Sequence, residues 1–100
     1  MAVAEVSIVP VGTDAPSFSS FVEAAANACR TTGVRHLVGP MATILEGEAE
    51  AIFACAQAMH DAALRSGAPR VITQCTIDER VDKQDTIESR LEAVTAPALQ

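Results

Sequence analysis

Twice in this chain a helical stripe of apolar residues stops at a glycine, and a strand containing or led by an arginine follows within a few residues: Gly33 precedes Arg35, and Gly67 precedes Arg70. With a strand ahead of the first helix, this weak echo describes two βαβ halves, and that order limits the layered folds available. Val3–Val11 opens the pattern by alternating, with Ala4, Val6 and Ile8 on one face and Glu5, Ser7 and Val9 on the other. Gly12, Thr13, Asp14 and Pro16 break it. Phe18, Val22, Ala25 and Cys29 then predict a helix over 17–32, with Ser17 or the Ser20/Glu23 pair as its cap and Gly33 as its stop. Strands are expected at 34–38 and 43–46, close enough in sequence for an antiparallel hairpin. Ile52, Cys55, Ala56, Met59 and Ala63 mark a second helix to about Ser66. The last strand, 70–80, places Val71, Thr73, Cys75 and Ile77 on one side and Ile72, Gln74, Thr76 and Asp78 on the other. A short helix over 86–94 ends the pattern, and the tail 95–100 is expected to fray.

The expected architecture is therefore α+β: a ferredoxin-like βαββαβ sandwich with an antiparallel four-stranded sheet and a short C-terminal helix. One hundred residues suffice for one such domain, 1–100, and leave no length for a second core. Two helices cover one sheet face. The other face, with Glu5, Ser7, Val9, Ile72, Gln74 and Thr76, is left to water or to a second subunit, and its mixed character suits an interface that also holds a polar site.

Composition narrows the function classes. The hydrophobic fraction of 49% and mean hydropathy of +0.23 are high for a small domain, which points to subunit contacts. No apolar run approaches the roughly 20 residues that span a bilayer. Residues 1–11 lack a basic leader, so neither a secretory signal nor an anchor is expected and the location implied is cytoplasmic. Thirteen acidic and seven basic residues give a net charge of −6 without any basic stripe, which argues against nucleic acid and favours a cationic or neutral small ligand. The only aromatic residues are Phe18, Phe21 and Phe53, which must serve core and site together. Cys29, Cys55 and Cys75 show no CxxC and no histidine at ligand spacing, and read as small buried hydrophobes in a reducing compartment rather than a metal site.

Several segments together resemble one family: Glu5–Thr13 (EVSIVPVGT), Pro16-Ser17, Pro40–Thr43 (PMAT), Glu46-Gly47-Glu48, Gly67–Val71 (GAPRV), Ile77–Arg80 (IDER) and Asp82-Lys83. In unbroken order from about Val3 to Val94, they resemble the thiamine-binding proteins (the MTH1187/YkoF-like, DUF77 or UPF0045 group). The resemblance implies a ferredoxin-like subunit that pairs its sheets into homodimers or homotetramers and binds thiamine, or its hydroxymethylpyrimidine moiety, without catalysis, for vitamin sequestration or delivery. It implies no catalytic residue, no metal and no cofactor beyond that ligand. Ala42 stands where the family usually has Gly, and Leu45 where Ile is common.

Thiamine joins an aminopyrimidine edge to a permanently cationic thiazolium, so a binder needs hydrogen-bonding side chains, apolar walls and nearby negative charge. The candidates are Ser7, Thr43 and Glu46 for the polar contacts and Val9, Phe18, Phe21 and Ile72 for the walls. Plainer readings stand beside them: Ser7 as one polar residue on an exposed strand face, Glu46 and Glu48 as acidic residues favoured at a helix N-terminus. Asp78, Arg80, Asp82 and Lys83 read as a solvated turn with ion pairs, or as a subunit tie, and Arg70 as a structural ion-pair partner or an anion holder. His36 and His60 lie on different elements and have no nucleophile at a motif spacing. An enzyme acting on a related heterocycle, with Glu46 as base and a histidine as acid, is the competing function, and a purely structural or regulatory oligomer the third.

Overall fold

The computed structural model describes residues 1–12, 19–39 and 41–98. In chain order the elements are β1 (Ala2–Val11), α1 (Ser19–Thr32), β2 (Arg35–Val38), β3 (Thr43–Gly47), α2 (Ala49–Arg65), β4 (Arg70–Glu79) and α3 (Ile87–Ala98). All strand pairings are antiparallel and the sheet order is β2-β3-β1-β4. This is the α+β, ferredoxin-like arrangement expected from the chain's punctuation. No helix among the described residues is long and apolar enough to cross a membrane.

The register fixes which residues share a face. Val6 pairs with Thr43 and with Cys75, and Thr43 with Val38, so these four point to one side. Val3, Glu46, Arg35 and Asp78 form an equivalent row pointing to the other. The core lies on the first side, where Ala2, Ala4, Val6 and Leu45 pack against Ala25 and Cys29 of α1 and Ile52, Cys55, Ala56 and Met59 of α2. The α2 stripe is the one its spacing predicts. In α1 the buried stripe runs through Phe21 rather than Val22, which is exposed. Ser20 lies inside α1 and so does not cap it, while Ser17 falls outside the described residues.

Two glycines are required by local geometry. Gly67 closes α2 at φ +108, a region where a side chain is strained. Gly39 donates its N–H to the Ala42 carbonyl at 3.0 Å across the β2–β3 turn, and a Cβ there would meet that oxygen at 2.9 Å.

The third helix changes the expected picture of the second sheet face. α3 runs to Ala98, further than the short helix expected, and lies over the end of that face built from Val3, Glu46 and Arg35. Thr86 and Ser89 cap its start reciprocally: Ser89 N–H donates to Thr86 Oγ1 and Thr86 N–H to Ser89 Oγ, both at 3.0 Å. The face is therefore covered by the chain itself at one end and open at the other, where Glu5, Val9, Ile72, Gln74 and Thr76 are exposed and Ser7 is half-buried.

Candidate ligand-binding site

On the open half of the sheet, Glu5 pairs with Thr76, Ser7 with Gln74 and Val9 with Ile72 across β1 and β4. Alternation puts all six side chains on one face, a consequence of the period-two geometry of paired strands. An open groove of about 510 Å³ runs over four of them, Glu5, Ser7, Gln74 and Thr76, touches Cys75 and is closed at one side by Met41 and Ala42 of the β2–β3 turn. An apolar cleft of about 370 Å³ adjoins it beneath α3, lined by Val3, Leu37, Ile44, Ile87, Leu91 and Val94 among others. Glu5 and Thr76 line both, so they form the wall between a polar and an apolar compartment.

The structure brings three of the seven candidate residues together and places three others, Thr43, Glu46 and Phe21, elsewhere. Ser7, Val9 and Ile72 share the open face. Thr43 points to the opposite side, where with Phe21 it lines a cavity of about 100 Å³ between α1 and the sheet. Thr43 and Ser7, expected as neighbouring hydroxyls of one site, thus sit on opposite faces of the sheet. Phe18 lies outside the described residues. Glu46 is buried, and both of its carboxylate oxygens are engaged: Oε1 accepts the Ile87 N–H at 2.9 Å and Oε2 accepts from Arg35 Nη1 at 3.1 Å. It anchors the first turn of α3, where a carboxylate satisfies an orphan amide and favours the helix dipole.

At the α3 end of this face Arg35 and Arg90 are committed to carboxylates, whereas Arg70, at the far end beside Ile72, forms no ion pair among the described residues. Arg35 bridges Glu46 and Glu88, with Nη1 donating to Glu88 at 2.6 Å, and this pairing holds the Glu88 carboxyl down at about 2. Arg90 is shared between Asp85 and Asp78, which lowers the Asp85 carboxyl below its ordinary value. Arg80 binds Asp82 and holds that carboxyl at about 2, so the charged turn makes ion pairs within the subunit. Glu5, by contrast, forms no ion pair among the described residues.

Other expectations resolve elsewhere in the molecule. Cys29 and Cys55 are buried, but Cys75, on the edge strand, is exposed. Phe53 sits on the solvent side of α2 and serves neither core nor groove. His36 Nδ1 lies 3.2 Å from the Val34 carbonyl and His60 Nδ1 shares a 2.6 Å hydrogen bond with Thr73 Oγ1, so the two are occupied locally on the helix side. No group of three or more His, Cys, Asp or Glu side chains is placed to hold a metal among the described residues. Glu5, Gln74 and Thr76 line the groove without having been singled out as site residues, although the alternation of β1 and β4 already placed them beside Ser7 and Ile72.

Comparison with known proteins bears on what such a groove serves. The family model for thiamine-binding proteins matches residues 4–95. The UPF0045 protein YqgV of Bacillus subtilis is 40% identical over 98 residues, covering 94% of each chain. The crystal structure of MJ1052 from Methanocaldococcus jannaschii superposes with a TM-score of 0.86 at 35% identity, over 94% of this chain and 95% of that one. A Thermotoga maritima protein for which a role in thiamine biosynthesis or salvage has been proposed superposes with a TM-score of 0.77 at 25% identity, over 92% of this chain and 96% of that one. Fold and length of match agree, and the chain belongs to the thiamine-binding protein family.

Proposed function

We propose that this protein binds thiamine, or its hydroxymethylpyrimidine portion, non-catalytically on the open half of its sheet, as a cytoplasmic homo-oligomer that sequesters or delivers the vitamin. The observation that carries this reading is the pairing of a polar groove with an apolar cleft across Glu5 and Thr76. An aminopyrimidine edge has donors and acceptors for Ser7, Gln74 and Thr76, and the thiazolium cation finds its countercharge in Glu5. Val9 and Ile72 supply apolar surface beside the groove.

Around the groove and cleft themselves, which Arg70 does not line, the electrostatics favour the unphosphorylated vitamin. A phosphate needs a free guanidinium, ammonium or amide cradle. Arg35 and Arg90 are already held by Glu46, Glu88, Asp78 and Asp85, and Glu5 and Asp78 would repel an anion. What supports binding over turnover is the engagement of Glu46 with Arg35 and the Ile87 amide, together with the placement of His36 and His60 on the other side of the sheet. Self-association is supported by Val9, Leu37, Met41, Ile72, Leu91 and Val94, apolar residues exposed on or beside this face.

Isothermal calorimetry with thiamine tests the proposal. Heat of binding is expected for the wild type, with Ser7→Ala weakening affinity by about 1 to 3 kcal/mol through an unpaired ligand group. Glu5→Gln should cost about 1 kcal/mol, the scale of an exposed charge pair. Thiamine monophosphate should bind more weakly than thiamine. Absence of heat and of any thermal shift at millimolar thiamine would remove the proposal.

A further inference from the structure

The chemistry left unused by the groove is concentrated in a trio of sulfur atoms between α1 and α2. Cys29 and Cys55 are both fully buried, and their Sγ atoms lie 2.9 Å apart. The Cys29 thiol also reaches the Met59 Sδ at 3.7 Å. A disulfide is about 2.05 Å long, so the two sulfurs need close only a further ~0.9 Å from their 2.9 Å separation. The cluster around them is wholly apolar, including Val6, Val34, Leu45 and Ile52. That setting separates two possible uses of a thiol pair. A soft monovalent metal held by two thiolates leaves net negative charge in the core with no cation to balance it, whereas a disulfide is neutral and suits the surroundings.

We infer that Cys29 and Cys55 are a latent disulfide, formed on exposure to hydrogen peroxide, that pins α1 to α2. One thiol loses its proton and its sulfur attacks a peroxide oxygen. The O–O bond breaks, leaving a sulfenic acid, and the departing hydroxide takes up the proton to become water. The second thiol, deprotonated in turn, attacks the sulfenic sulfur; the S–S bond forms, the S–O bond breaks, and hydroxide leaves with that second proton as another water. Two thiols and one peroxide become one disulfide and two waters, the sulfur pair giving up two electrons that the peroxide accepts.

Burial, and then the neighbouring Cys55, push the Cys29 thiol up to about 12. At neutral pH the closed core therefore holds little thiolate, and reaction proceeds through transient opening of α1 from α2. The exposed Cys75 is the competing thiol and is removed for the test. The inference needs no ligand and stands apart from the thiamine reading.

Full-length Cys75→Ser protein is treated with hydrogen peroxide at neutral pH, alkylated under denaturing conditions and read by mass spectrometry. The expected product is a monomeric chain lighter by about 2 Da, closed to alkylation, with one Cys29–Cys55 linked peptide. Its Tm should rise by about 5 °C or more, because the link closes a loop in the unfolded chain, and dithiothreitol should reverse the rise. Two alkylatable thiols after prolonged treatment, sulfinic acid at either cysteine in place of the link, or a link that lowers Tm would each overturn the inference.

Discussion

Glu46 and Thr43 are the two residues of β3 in which local sequence and three-dimensional placement part company. β3 has apolar residues on both sides, with Ile44 half-buried and Leu45 fully buried, so its alternation does not say which side faces the helices. Only its pairing with β1 decides, and a slip of one residue would exchange the faces. β1 and β4 are ten residues long and carry a clearer contrast, which is why Ser7, Val9 and Ile72 could be placed together from the sequence. The role of Glu46 as the anchor of α3 depends on Ile87, 41 positions away, and no local pattern announces it. Glu46→Ala should destabilise the protein by about 1.5 to 3 kcal/mol in urea unfolding, the range for hydrogen bonds to a charged group. Glu46→Gln keeps an acceptor for the Ile87 amide and should recover part of that loss. Equal stability of all three proteins would show that α3 does not depend on this contact.

At the scale of elements, β1, α2 and β4 were legible because alternation, stripe and the glycine stop agree there. The start of α3 was legible too, but its docking was not. Its attachment joins residues as far apart as Arg35 and Glu88, and its exposed Leu91 and Val94 give a weak stripe. The tie is electrostatic at its outer edge, which makes it sensitive to acid. Arg35 holds Glu88 at about 2, below its ordinary 4.5, and Arg90 lowers Asp85 in the same direction. A carboxyl depressed on folding contributes stability that is present above its ordinary value and lost as pH falls through the depressed one. Between about pH 4.5 and 2, α3 should loosen ahead of the sheet. Hydrogen exchange on this descent should show the amides of α3 losing protection before those of β1, and simultaneous loss would contradict the assignment.

For the molecule as a whole, α1 and α2 enclose the core on one side of the sheet while α3 covers only part of the other. The uncovered part holds the polar groove and several exposed apolar side chains, so ligand binding and self-association are proposed for the same surface. Native mass spectrometry of protein taken directly from cells should show dimers or tetramers, with added mass corresponding to thiamine or hydroxymethylpyrimidine. A bare monomer throughout would leave neither proposal supported. The site itself is tested most directly by nuclear magnetic resonance titration of isotope-labelled protein with thiamine. Amide shifts are expected to cluster at Glu5, Ser7, Gln74 and Thr76. Shifts centred instead on Thr43 and Phe21 across the sheet, or no shifts at millimolar thiamine, would contradict the account.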